Sequence, residues 1–366
     1  MSAKLLVRAY VNEIALDKRF KELYGSSYRR EISSLPNFKV MKQIVFRERL
    51  GNMYQMMIIS LQIMIPVYIL TKIFYSFLII LFGKRKFELQ ETIIIPTTDG
   101  NITLIESVIE KPSHVVNISI GELSRYLSMR DIFTCFGEIV ALYSIIFSRK
   151  KKSRRRELLL HSHDCLELLL FMRFLRRNNQ NRYITDDHYQ RWAYILSYLT
   201  NDFSIVQHGF LDPEIIFPNQ FGKVNCIHIR NDIFKKDFTR YYKCNKFEEY
   251  KRDLLFTLVN NTKYCIFFAS SYPRVDEEIE TLKIIKSKTS LPILIKLHPH
   301  HEYSKEKKSE LLSFASYICA ISEFPVCSIF VSYNSYLEFA YIDTQTFTYS
   351  IKRDNISKLL IELQSK

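Results

Sequence analysis

Four short runs hold the residues best suited to chemistry. The first is Lys296-Leu297-His298-Pro299, with His300 and His301 behind it, directly after the apolar run Ile293-Leu294-Ile295. Ligands of open α/β sheets sit outside the carboxyl ends of the strands, so cations gathered there are placed to meet a phosphate or carboxylate. The second is Ser332-Tyr333-Asn334-Ser335, with Glu338 one turn further on, and Ser270-Ser271 stand before a comparable helical stretch. Short hydroxyls at such positions donate to an anion, and the helix N-termini that follow add backbone N–H groups. The third and fourth runs are Asp186-Asp187-His188 and Gln207-His208-Gly209. A general base must be unprotonated at neutral pH, which suits a carboxylate or a neutral imidazole. Asp186, Asp187 and His208 are all candidates, and Gly209 would let the backbone turn sharply beside them.

The elements that must position these runs read as alternating strands and helices. Thr92-Ile93-Ile94-Ile95 ends in a turn-rich PTTDGN, Val115–Ile120 reads as a strand, and Asp131–Phe147 as a helix. Glu157–His161, Arg182–Thr185 and Phe203–Gln207 read as successive buried strands separated by helical Cys165–Arg176 and His188–Leu199, the rhythm of a parallel sheet. On that reading His163 and Asp164 follow the first strand, as the aspartates and the Gln207 run follow the other two. The charged and aromatic stretch Asn231–Arg252 carries few strand signals and reads as a linker. A second series then begins, with strands at Tyr264–Ala269, Ile293–Lys296, Tyr317–Ala320, Ser328–Val331 and Thr346–Tyr349, helices between them and a closing helix at Asp354–Leu363.

The chain has 366 residues, 47% hydrophobic and 25% charged, enough for two domains with substantial cores. A formal charge of +14 points to an anionic partner: nucleic acid, an acidic membrane surface or a phosphorylated ligand. Seven cysteines without a CxxC pair, and no short apolar signal region, imply reduced thiols in a cytoplasmic setting and argue against structural zinc. Of 8 glycines Gly222 is the last, and neither a GxGxxG nor a GxxxxGK[ST] loop occurs. Dinucleotide oxidoreductases and P-loop enzymes are therefore poor candidates, because both need backbone brought close to phosphate.

Residues 1–91 form a basic and apolar helical extension on this reading. Between Met53 and Phe82 the sole charge is Lys72, and Gly83-Lys84-Arg85-Lys86 follow. A single span would leave basic flanks on both sides of a membrane, and two spans need about 40 residues. An interfacial hairpin or helix pair fits better, with a buried helical pair as the alternative. The run Arg149–Arg156 is either a solvated loop or a contact for anionic headgroups.

Taken together, Asp186-Asp187, Gln207-His208-Gly209, Lys296-Leu297-His298-Pro299 and Ser332 to Glu338 resemble bacterial glycosyltransferases of capsule and lipopolysaccharide synthesis. The nearest in pattern are sialyl-, polysialyl- and Kdo-transferases, which use CMP-activated sugars. The resemblance implies the GT-B fold, two Rossmann-like domains facing a cleft: an acceptor domain over 92–245 and a nucleotide-donor domain over 246–366. It implies an inverting, metal-independent transfer without cofactor, from a nucleotide-sugar donor to a glycan or glycolipid acceptor, at the inner face of the plasma membrane. His298 of the HP pair would sit over the donor phosphate, with Lys296, Pro299, Ser270, Ser271, Ser332 and Ser335 around it and Glu338 on a ribose hydroxyl. His163, Asp164, Gln207 and Gly209 would line the acceptor side. Asp186-Asp187-His188 corresponds to the family's acidic base motif, with histidine where the family has glycine, and His208 competes for the role. Other readings are a CDP-polyol phosphotransferase of similar fold and a non-catalytic binder of nucleic acid or anionic membrane, nucleic acid being disfavoured.

Overall fold

A computed structural model of the chain describes residues 2–24, 53–84, 89–97, 101–109, 113–186, 189–209, 214–251, 254–259, 263–270, 274–298, 303–333 and 335–365. Two compact units divide it, Met1–Tyr250 and Lys251–Lys366. Both are α/β, and each is built on a parallel sheet compatible with Rossmann-like folds.

The first unit holds a six-stranded sheet: β1 (Thr92–Ile95), β2 (Ser113–Val115), β3 (Arg182–Thr185), β4 (Asp202–Val206), β5 (Lys223–Ile229) and β6 (Lys243–Glu249). The spatial order is β2-β1-β3-β4-β5-β6, every pair parallel. Covered on both faces, a parallel strand must be apolar on both. Accordingly β1 is a run of isoleucines buried throughout, and β3 and β4 are buried beyond their first residue.

Helices cover this sheet: α1 (Ser2–Tyr24), α2 (Met53–Phe82), α3 (Ile102–Ile109), α4 (Ile120–Leu123), α5 (Met129–Phe147), α6 (Lys152–His161), α7 (Cys165–Arg177), α8 (Arg191–Leu199) and α9 (Lys235–Tyr241). Eight apolar side chains of α7, from Leu166 to Leu175, are buried, so the helix can only lie inside a helical layer. Around it pack α1, α2, α4, α5 and α8. One stripe of α1, Ala3, Leu6, Val7, Tyr10 and Ile14, recurs at helical spacing and is buried, so residues before 92 contribute directly to this unit.

Several local expectations are corrected here. Glu157–His161 is the end of α6, not a strand, and a 3-10 turn over Ser162–Asp164 carries it into α7. Three consecutive leucines suit a helix or a strand equally by periodicity, and the longer run of helix-compatible residues decides. The stretch read as a linker, 231–252, instead forms a 3-10 turn, α9 and β6. Val115–Ile120 is mostly loop after the short β2. Met53–Phe82 is one continuous helix with Pro66 inside it rather than a pair.

The second unit contains β7 (Phe256–Thr257), β8 (Ile266–Ala269), β9 (Ile293–Lys296), β10 (Tyr317–Ile318), β11 (Phe324–Pro325), β12 (Ile329–Ser332) and β13 (Phe347–Ser350). Its main sheet runs β10-β9-β8-β12-β13, all parallel, with β7 and β11 paired apart. Helices α10 (Val275–Lys288), α11 (Lys305–Leu312), α12 (Glu338–Asp343) and α13 (Ile356–Gln364) connect and close it. Alternate residues of the central strands enter different cores. Phe268, Ile295 and Val331 pack with Leu282, Leu311 and Leu359, whereas Phe267, Leu294 and Phe330 pack with Tyr341 and Cys327.

Candidate functional site

In a doubly wound sheet the strand order reverses at one point, and the crevice outside the carboxyl ends there is where ligands bind. For the first unit that point lies between β1 and β3. Asp186 follows β3 directly and is wholly buried. Its Oδ1 accepts from the Thr97 backbone N–H at 2.8 Å, and its Oδ2 accepts from the Thr97 hydroxyl and from Asn101 Nδ2 at 2.5 Å. Thr97 and Asn101 come after β1, so the carboxylate clasps the two strands on either side of the reversal. One residue earlier, the Thr185 hydroxyl donates to the Ile95 carbonyl at 2.6 Å.

His208, two residues past β4, presents Nδ1 to the Asp186 carbonyl oxygen at 2.6 Å, and the same nitrogen is 3.4 Å from Asp186 Oδ2. Two acceptors facing one ring nitrogen place a proton on Nδ1. The imidazole is 37% exposed while Asp186 is not exposed at all. A buried carboxylate saturated by three donors is built to hold other groups still, and the half-exposed ring beside it is the one that solvent reaches. Asp187 lies outside the described residues.

Gln207 is buried and structural in its bonding. Its Nε2 donates to the Gly209 carbonyl at 3.0 Å, and its Oε1 accepts from the Arg230 backbone N–H at 3.1 Å. Arg230, at the end of β5, in turn donates to the Tyr250 carbonyl at 2.8 Å. These bonds tie the ends of β4, β5 and β6 into one rigid margin. Gly209 is not in the left-handed region, so the sharp turn expected of it is not a backbone requirement.

His163 and Asp164 do not end a strand. They form the turn that opens α7, and Asp164 pairs with Arg191 at 2.6 Å and accepts from Tyr10 at 3.2 Å. Arg191 also pairs with Glu13, so α1, α7 and α8 meet around one buried guanidinium. Burial would lower the Arg191 pKa, but Glu13 and Asp164 raise it further than that. Lys72 donates to the His163 carbonyl at 3.2 Å and pairs with Glu167. Asp164 is therefore committed to holding helices together.

In the second unit the order reverses between β8 and β12. Ser270 directly follows β8, and Ser332 is the last residue of β12, so the two hydroxyls expected at a donor phosphate flank the reversal. Ser270 Oγ donates to the buried Glu278 at 2.5 Å and lies 3.0 Å from the Tyr303 hydroxyl. Ser332 Oγ accepts from the Ser335 N–H at 3.1 Å, and Ser335 Oγ accepts from the Leu337 N–H at 3.3 Å. On the next strand out, β9, Lys296 is buried with Nζ on the Glu323 carbonyl at 2.8 Å and 3.7 Å from the Phe324 ring centroid. The backbone N–H of His298 donates to the Tyr303 hydroxyl at 3.3 Å, and the residue is half-buried. Ser271 and Pro299 lie outside the described residues.

Two expectations for this margin change. Helix α10 opens with Asp276, Glu277 and Glu278, whose charges oppose an anion at its N-terminus. Glu338 is buried and grips Arg353 with both carboxylate oxygens, so its partner is this guanidinium. Burial raises the Glu338 pKa while Arg353 opposes the rise. Arg353 also donates from Nε to Ser350 Oγ at 3.2 Å, at the end of β13 beside β12. Sequence reasoning missed Arg353, as it missed Thr97, Asn101, Glu278 and Tyr303. The turn residues after β1 were visible, but what their side chains bond was not.

Among the described residues one trio has metal-ligand chemistry: Cys226, His228 and Glu248, with ligating atoms within 4.8 Å of one another. Burial lowers the His228 pKa, keeping the ring neutral, and pushes the Cys226 thiol up to about 12. Lys246 already neutralises Glu248, so an arriving cation would have to displace an ammonium. Compared with known proteins, the chain matches no family model and no curated protein.

Proposed function

We propose that the chain is an inverting glycosyltransferase of GT-B type that moves a sugar from a nucleotide, CMP first among them, to a hydroxyl of a glycan or glycolipid. The observation that carries this reading is the Asp186–His208 arrangement beside the strand reversal of the first unit, with Nδ1 of His208 held at 2.6 Å and its ring 37% exposed. His208 is the general base on this reading, and Asp186 is a positioning residue. The acceptor oxygen attacks the anomeric carbon from the face opposite the leaving group, and its proton passes to Nε2 of His208. The bond from the anomeric carbon to the phosphate oxygen breaks, and its electron pair leaves with the nucleotide. Charge then grows on that phosphate, and cationic and hydroxyl side chains can stabilise it without need of a metal. Reversal of strand order at Ser270 and Ser332 supports a nucleotide there.

Thermal-shift measurements with CMP, CDP, UDP and GDP, followed by turnover assays with the matching sugar donors, test the reading. A cytidine nucleotide should raise the melting temperature, and the matching transfer should survive EDTA. His208→Ala should lower kcat by about 10²–10⁴-fold and leave nucleotide binding unchanged. If no nucleotide stabilises the protein, or if folded His208→Ala turns over normally, the assignment fails. Tight, salt-sensitive nucleic-acid binding instead of nucleotide binding would replace it with a binding protein.

A further inference from the structure

We propose that the outward faces of α2 and α5, with the basic run that opens α6, form a docking surface for an anionic lipid bilayer on which α2 lies in the interface plane. Within α2 the stretch Met64–Phe82 is long and apolar enough to cross a membrane by length and composition. It is nevertheless fastened to the protein along one side. Ile65, Ile69, Ile73, Ser76 and Ile80 recur at helical spacing and are buried. Midway along that side Lys72 pairs with Glu167, and Ser76 Oγ is 2.6 Å from Ser124 Oγ. Such ties hold the inner face against the first unit and leave only the outer face for hydrocarbon.

That outer face is apolar. Val67, Leu70, Phe74, Leu81 and Phe82 are all at least half exposed. On α5, Phe133, Phe136, Val140 and Phe147 follow at helical spacing and are also exposed. Phe77 meets Phe133 with ring centroids 5.2 Å apart, which joins the two faces into one. Soluble proteins rarely leave so large a contiguous apolar surface in water.

Charge selects lipid as the occupant. Lys72, turned inward, is the sole charge between Met53 and Phe82. Both acids of α5 are paired within the protein, Asp131 with Arg177 and Glu138 with Arg173. The apolar face therefore presents no anionic group of its own. Immediately beyond α5, Arg149, Lys150, Lys151 and Lys152 are exposed, and α6, which Lys152 opens, packs against both α5 and α2. Exposed Tyr68 and Tyr75 add the amphipathic rings that favour the headgroup level. An apolar face rimmed by cations is the pattern of a monotopic anchor.

Flotation of the full chain with phosphatidylcholine vesicles, with and without 30% phosphatidylglycerol, tests the proposal without any donor or acceptor, so its failure is separate from failure of the transferase reading. The protein should float with the anionic vesicles and be extracted by carbonate. Val67→Glu with Phe74→Glu, both outward positions, should reduce partitioning at least tenfold with an unchanged melting temperature. Lys150→Glu with Lys151→Glu should reduce it about fivefold or more for each cation lost, on anionic vesicles only. No flotation, or equal flotation of the Val67/Phe74 variant, overturns the proposal. So does resistance to carbonate, which would mean a span, or a lipid-free dimer that the Val67/Phe74 variant dissolves, which would mean a protein interface.

Discussion

Replacing Asp186 should destabilise the first unit in a graded way that the bonding dictates. The carboxylate is fully buried and accepts from Thr97 N–H, Thr97 O–H and Asn101 Nδ2. Alanine removes the acceptor from all three donors, which belong to the partly buried Thr97 and Asn101. Hydrogen bonds to a charged group are worth about 1.5–3 kcal/mol, and each buried donor left unpaired costs about 1–3 kcal/mol. Since the losses overlap, Asp186→Ala should cost about 3–5 kcal/mol, a large share of an ordinary domain's stability. Asparagine keeps one oxygen for the Thr97 N–H and turns an NH2 toward the other two donors. The Thr97 hydroxyl can rotate to accept, and the Asn101 amide can flip, so Asp186→Asn should cost about 1–3 kcal/mol. Thr97→Val deletes one donor only and should fall near the lower figure. Urea denaturation followed by far-UV circular dichroism gives the order. An Asp186→Ala variant within about 1 kcal/mol of wild type, or an asparagine variant as damaged as the alanine one, refutes the claim that this carboxylate is a buried, saturated clasp.

Other expectations follow from single contacts. Arg353→Ala strips the counter-charge from a buried Glu338, and should cost about 2 kcal/mol at pH 8 once the partial exposure of Arg353 is discounted. Because burial already raises the Glu338 pKa, the folded state binds its proton more tightly than the unfolded state; the variant's deficit should shrink toward pH 4 and reach its full value above the raised pKa. A deficit independent of pH between 4 and 8 counts against that account. Gly222→Ala would put a Cβ 2.1 Å from the Ser197 carbonyl oxygen, a backbone atom that cannot swing away, and should cost about 1–3 kcal/mol. At Gly209 a Cβ would meet nothing within 4 Å among the described residues, so Gly209→Ala should stay within about 0.5 kcal/mol of wild type by the same denaturation assay.

What the sequence disclosed depended on burial. In the second unit the strands at 266–269, 293–296, 329–332 and 347–350 fall within two residues of the expected ones. Each central strand is buried on both faces and bounded by polar residues, which is the strongest local signal a parallel strand has. The first unit was harder. Glu157–His161 reads as a strand because a leucine triplet has no period, and the neighbours that make it helical are charged. β5 and β6 went unread because Lys223–Ile229 and Lys243–Glu249 interrupt their apolar residues with Lys, Asn, His and Glu. For the sites, residues at strand ends were legible by type, including Asp186, His208, Ser270 and Ser332. Their bonding was not, since it depends on partners far along the chain: Thr97 lies 89 residues from Asp186.

The polar texture of β6 has a consequence for the life of the protein in a crowded solution. Among the described residues the sheet of the first unit ends at β6 on one side and at the three-residue β2 on the other. An open margin of unpaired N–H and C=O groups is a template onto which a strand from another molecule can crystallise. On β6 the sequence KCNKFEE places Lys243, Lys246, Glu248 and Glu249 along that margin, so an incoming strand would have to desolvate four charges within seven residues. The same residues that disguise this segment as a linker thus serve as a guard rail against fibrous growth. Replacing Lys246 and Glu248 with valine would make the strand obvious to any reader of the sequence, and would give the molecule a sticky border.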